Sequence, residues 1–154
     1  MASAMGFFDR FLPSSDKTAL AQLAELAGRK EALIERLARH AAMCPYGTIR
    51  TGLERIAAQQ SEGFRVLRSL LADRQMWPRP PESTAHEGSN NWERLNSDLA
   101  MLGTVVVGMQ RASRAWEAID SPTAEKLLAV AISDGEAQNQ LRALALKCDP
   151  QALD

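Results

Sequence analysis

Three prolines within four residues, Pro78, Pro80 and Pro81 in the run Met76–Trp77–Pro78–Arg79–Pro80–Pro81–Glu82, constrain this chain more than any other feature. Proline lacks a backbone donor and locks φ, so such a run enters neither a helix interior nor a central strand and stays stiff and extended. The run and its polar tail to Ser89 divide the 154 residues into two halves of similar length. Each half carries apolar residues at steps of three and four, the spacing of an amphipathic helix.

Four helices are expected from that spacing, over about 16–43, 48–75, 91–118 and 122–147. In helix one Leu20, Leu23, Ala27, Ile34, Leu37 and Ala41 form the inner stripe, widened by Leu26 and Leu33. Arg29, Lys30, Glu35, Arg36 and Arg39 are assigned to the outer face. Cys44–Pro45–Tyr46–Gly47 stops the helix, and Thr48 is the expected cap of helix two. Leu53, Ile56, Gln60, Phe64, Leu67 and Leu71 line helix two, with polar Gln60 at mid-stripe. Asn90 caps helix three, with Glu93 three residues on in the manner of a capping box. Leu95, Leu99, Leu102, Val106, Met109 and Trp116 face inward. Val105–Val106–Val107 has strand propensity, but the helical period continues through it. Ser121–Pro122 reads as a capping serine followed by proline at the first helical position. Leu127, Ala131, Asp134, Leu141 and Leu144 line helix four, again with a polar residue, Asp134, in mid-stripe.

Residues 15–149 therefore read as one all-α four-helix bundle, flanked by an arm at 1–14 and a tail at 150–154. Helices of about 28 residues are about 42 Å long. The fourteen residues 76–89 reach about 46 Å fully extended, or about 43 Å as polyproline II. An up-down-up-down bundle, the alternative, needs only a short turn between helices two and three. A linker this long and stiff is required when the chain must travel back along the bundle, so a crossover connection is the expected topology. Cys44 and Cys148 would share one end of a crossover bundle and lie at opposite ends of the alternative, so a redox pair is compatible only with the crossover.

With its short–long–short connections the chain resembles the ferritin-like, rubrerythrin-type superfamily over about residues 17–153. The resemblance rests also on His40–Ala41–Ala42–Met43–Cys44–Pro45–Tyr46 at the first hairpin, Asn91–Trp92–Glu93–Arg94–Leu95 opening helix three, and the closing Asp149–Pro150–Gln151–Ala152. It implies a bundle in which active members hold two iron or manganese ions. They use a glutamate from each of two helices and Glu-x-x-His from the other two, because positions i and i+3 share a helix face. Here Gln60–Ser61–Glu62–Gly63 and Asp134–Gly135–Glu136–Ala137 stand at the matching places, with no histidine in either. Helix three offers no carboxylate near mid-span, and helix one offers Glu31. Glu31, Gln60 and Asp134 are the expected residual polar site, with Gln60 donating to Asp134. Glu31, Glu62, Asp134 and Glu136 are the set to consider should a metal bind.

The net charge of −1 lacks the basic excess of a nucleic-acid binder. The longest uncharged apolar run, about 100–109, is too short to span a bilayer. Asp9 and Arg10 interrupt the apolar start, so no secretory signal is read, and a cytoplasmic protein with reduced thiols is expected. Phe7, Phe8, Phe11 and Leu12 share one face of a short turn. They suit packing on the bundle or a mate, or contact with a membrane surface. Trp77 and Trp116 near helix ends suit either a dimer contact or capping of the bundle's own ends. Together these observations predict a homodimeric bundle without cofactor, acting by binding or self-association. The alternatives are an iron or manganese carboxylate oxidoreductase or storage protein, and a membrane-peripheral protein using the phenylalanine arm.

Overall fold

The structure, a computed structural model, describes residues 14–83 and 86–148. It consists of α1 (Ser14–Met43), α2 (Gly47–Ala72), α3 (Asn91–Glu117) and α4 (Ser121–Lys147), with no strand among the described residues. The all-α bundle architecture expected from the periodicity is therefore present. No helix among the described residues is long and apolar enough to cross a membrane.

Local chemistry sets the helix ends. Pro45 closes α1, and the Arg50 guanidinium donates to the Cys44 carbonyl from Nε at 3.2 Å and Nη2 at 2.8 Å, holding the tight turn into α2. The residue before α2 is Tyr46, in extended conformation with no side-chain cap, so Thr48 lies inside the first turn instead of capping it. The end of α2 comes earlier than the apolar pattern suggests. Gln75 takes a left-handed φ of 55° and the Met76 amide reaches back to the Leu71 carbonyl at 2.9 Å, a Schellman-type closure. Asn90 caps α3 as expected, its side chain accepting from the Glu93 amide at 2.8 Å. The reciprocal bond is displaced by one residue: Glu93 accepts from the Ser89 amide and hydroxyl. Asp120, not Ser121, precedes α4, and Ser121 and Pro122 begin the helix.

Packing pairs α1 with α2 and α3 with α4 most extensively, while α2–α4 and α1–α3 contacts complete the bundle. Two apolar clusters form its core. One gathers Leu20, Leu23, Leu67, Leu71, Met109, Trp116 and Leu127; the other gathers Leu33, Leu37, Leu53, Ile56, Leu95, Leu102 and Leu141. Each buried leucine contributes about 1.5–3 kcal/mol of transfer free energy. Val105 and Val106 are buried within α3 and Val107 is exposed, so the valine triplet is helical. Ile34, Phe64 and Leu99, assigned to inner stripes, are only half-buried.

The segment after α2 lies against α1. The Arg79 amide donates to the Ala24 carbonyl at 2.9 Å. A Cβ at Gly28 would fall 1.6 Å from the Arg79 carbonyl oxygen, so only glycine lets the segment approach this closely. Further on, the His86 carbonyl accepts from Ser97 Oγ at 2.8 Å, and Glu87 pairs with Arg39 and His40.

Candidate functional site

Between the two apolar clusters lies a polar layer made by three helices. Lys30 of α1 lies between Ala27 and Leu33, Gln60 of α2 between Ile56 and Leu67, and Asp134 of α4 between Ala131 and Ala137. All three are inaccessible to solvent, at 0%, 0% and 1% exposure. Lys30 Nζ donates to Gln60 Oε1 at 2.6 Å and to Asp134 Oδ1 at 2.5 Å. Gln60 Nε2 donates to the same Asp134 oxygen at 2.9 Å. Asp134 Oδ2 is buried without a partner among the described residues.

Burial pushes the Lys30 amine below its ordinary range, while the charge and hydrogen bond of Asp134 pull it back up. Two acceptors, the Asp134 carboxylate oxygen and the Gln60 amide oxygen, are thus aimed at Nζ. Gly63, one turn beyond Gln60, makes room for the lysine stem: a Cβ there would lie 2.6 Å from Lys30 Cε and 3.1 Å from Val130 Cγ1. Outside this layer a groove of about 690 Å³ runs between α2 and α4, floored by Gly63, Val66, Leu70 and Val130.

Gln60 and Asp134 thus meet in the core and hydrogen-bond directly. Glu31 does not join them. It is exposed, and the place assigned to it is taken by Lys30, which the charge pattern had put outside. The helical period accounts for the exchange. Lys30 is three residues from both Ala27 and Leu33, which are fully buried, so it shares their face, whereas Glu31 is rotated about 100° away. Glu62 and Glu136 are also exposed, Glu62 pairing with Arg65 on its own helix. Of Glu31, Glu62, Asp134 and Glu136, only Asp134 reaches the core. Among the described residues no group of three or more histidine, cysteine, aspartate or glutamate side chains is arranged to hold a metal ion.

A second polar cluster, at the junction of α1, α3 and the linker, was not anticipated. His40 and Asp98 are buried, at 1% and 0% exposure, with Nδ1 2.5 Å from Asp98 Oδ2. The other ring nitrogen is 3.2 Å from Glu87 Oε2. Arg36, assigned to the outer face, is buried instead and reaches Asp98 Oδ1 from Nε at 3.2 Å and Ser97 Oγ from Nη2 at 2.6 Å. Burial pushes the Asp98 carboxyl up, opposed by His40 and Arg36. The hydrogen bond from Arg39 is the main cause that holds Glu87 below the usual carboxylate range. The spacing of residues 36, 87 and 98 gives no local signal for this cluster; its one hint is that His40 lies three residues from Leu37 on the inner face.

Trp116 is 2% exposed, packed in its own core beneath the Arg74 guanidinium at 4.7 Å from the ring centroid, so it forms no surface contact. Trp77 is exposed. Phe7, Phe8 and Phe11 lie outside the described residues. Cys44 and Cys148 are free thiols packed in the same apolar cluster, and the Cys148 thiol is pushed up by burial and by its neighbour Cys44. Compared with known protein families and with curated proteins, the chain matches none.

Proposed function

We propose that this chain is a ferritin-like bundle of the rubrerythrin type in which the Lys30 ammonium holds the core position that metal ions take in active members. It works by binding and self-association, as a homodimer, and not by di-metal chemistry. The observation that carries this reading is the Lys30 Nζ contact at 2.5–2.6 Å with both Asp134 and Gln60. Iron and manganese require several anionic oxygens or imidazoles converging on the ion. Here one carboxylate and one amide oxygen are already committed to an internal cation, and the remaining acidic candidates face solvent.

The crossover topology is part of the proposal and is supported by the distribution of core residues. Both α2 and α3 begin in the cluster of Leu37 and Leu102 and end in the cluster of Leu23 and Trp116. That distribution supports α2 and α3 running in the same direction, with the linker carrying the chain back. Arg79 lies against Ala24 and Glu87 against Arg39, about 22 Å further along α1, which supports a linker that returns along the bundle. The shared cluster of Cys44 and Cys148 agrees with that path.

Self-association is supported by apolar side chains on the outer faces of α3 and α4: Val107 (46% exposed), Leu128 (50%) and Ile132 (58%). Size-exclusion chromatography with light scattering tests that half of the reading, and elemental mass spectrometry after incubation with iron(II) and manganese(II) tests the other. A dimer without retained metal is expected. Stoichiometric metal would assign the chain to carboxylate oxidoreductase or storage chemistry instead.

A further inference from the structure

We propose that Cys44 and Cys148 form a disulfide site operated by peroxide, in which Cys148 meets the oxidant, Cys44 resolves it, and the bond staples the α1–α2 turn to the end of α4. Contacts between α2 and α4 fix where each cysteine falls. Gly63 meets Val130, Gln60 meets Asp134 and Gly52 meets Leu144, so each step toward the start of α2 is a step toward the end of α4. A Cβ on Gly52 would lie 2.6 Å from Leu144 Cδ1, so the two helices are close at this end. One turn beyond Leu144 is Cys148, and one turn before Gly52 is the start of α2, which follows directly on Cys44–Pro45–Tyr46. Ala41, Cys44 and Ile49 from the turn and Leu144, Ala145 and Cys148 from α4 accordingly pack in one apolar cluster. Both thiols are free.

Access sets the order of attack. Cys44 is 1% exposed and Cys148 is half-buried, so a small oxidant reaches Cys148 first. Burial pushes the Cys148 thiol up, and the neighbouring Cys44 adds to it, so the two sulfurs lie within electrostatic reach and the resting pair reacts slowly. A disulfide requires Cα atoms about 4.4–6.8 Å apart. Cys148 follows Lys147, the last residue of α4, where the backbone adjusts without moving the packed helix. The oxidant is hydrogen peroxide. The Cys148 thiolate attacks one peroxide oxygen, the O–O bond breaks, and hydroxide leaves a sulfenic acid behind. The Cys44 thiolate then attacks that sulfur; the S–S bond forms as the S–O bond breaks, and a second hydroxide leaves. The two thiol protons join the two hydroxides, so one peroxide is reduced to two waters while two thiols become one disulfide.

Closing a loop of about 100 residues constrains the unfolded chain, so the oxidised protein is the more stable form. The staple lies at one end of the bundle, outside the Lys30 layer, so its test is independent of the reading given to that layer. The reduced full chain is treated with hydrogen peroxide, and its denatured intact mass, peptide map and melting temperature are read. One intramolecular Cys44–Cys148 bond is expected, with the mass lower by two hydrogens. Tm should rise by about 5–15 °C and return to the reduced value with dithiothreitol. Cys44→Ala removes the resolving thiol, so dimedone should trap a sulfenic acid on Cys148. In Cys148→Ala the buried Cys44 should remain a thiol under the same treatment, and neither variant should gain Tm. Four results in the wild type overturn the proposal: two free thiols after peroxide, sulfinic acid at either cysteine, a disulfide between two chains, or an intramolecular bond without a rise in Tm. A dimedone adduct on Cys44 in Cys148→Ala overturns it as well.

Discussion

Replacing Lys30 by methionine removes the core ammonium while keeping a side chain of similar length. Asp134 then retains one hydrogen bond, from Gln60 to Oδ1, and its Oδ2 is already without a partner among the described residues. Both residues are sealed from solvent, so the carboxylate cannot recover water without opening the bundle. Breaking a buried pair by removing one partner costs about 3–5 kcal/mol. Against a total stability of about 5–15 kcal/mol this is a large share. With a urea slope of about 2 kcal/mol per molar, the midpoint should fall by about 2 M. The assay is urea unfolding followed by circular dichroism. The triple variant Lys30→Met, Gln60→Leu, Asp134→Val is the control, since it removes every buried polar group of the layer at once. Replacing a buried ionic set by apolar residues is often neutral or stabilising by about 1–4 kcal/mol, so the triple should regain most of the loss. A Lys30→Met cost below about 1 kcal/mol, or a triple variant no more stable than the single, would refute the reasoning.

Other perturbations separate the remaining parts of the structure. Gly28→Ala drives a methyl into the Arg79 carbonyl and should cost about 1–3 kcal/mol with loss of protection at the Arg79 amide, read by thermal unfolding and hydrogen exchange. Asn90→Ala removes the α3 cap and should cost about 1 kcal/mol in urea unfolding, leaving the Lys30 layer untouched. Leu128→Glu with Ile132→Glu places two charges on the proposed contact face; light scattering should report monomer, with monomer stability changed by less than about 0.5 kcal/mol.

The parts of this fold that follow a local period are readable from the chain alone. The four helices, the Asn90 cap and the inward positions of Gln60 and Asp134 all come from spacing, because a polar residue interrupting an apolar stripe announces itself. Lys30 does not. Its charge argues for the surface, and only its spacing from Ala27 and Leu33, together with the gap left by Gly63 on another helix, places it inside. The charge of Arg36 argues for the surface in the same way, and the fold buries it. The His40 cluster is harder still, since Glu87 and Asp98 lie 47 and 58 positions away and only tertiary packing joins them. The early end of α2 turns on Gln75 in a left-handed conformation that its residue type does not signal.

The central claim is that a protonated lysine fills the core cation position, and nitrogen NMR of the Lys30 side chain tests it directly. At neutral pH the account predicts a slowly exchanging ammonium signal, coupled to Asp134 and absent in Lys30→Met. A neutral amine at Lys30, or a lysine signal that shifts on stoichiometric uptake of iron(II) or manganese(II), would contradict it.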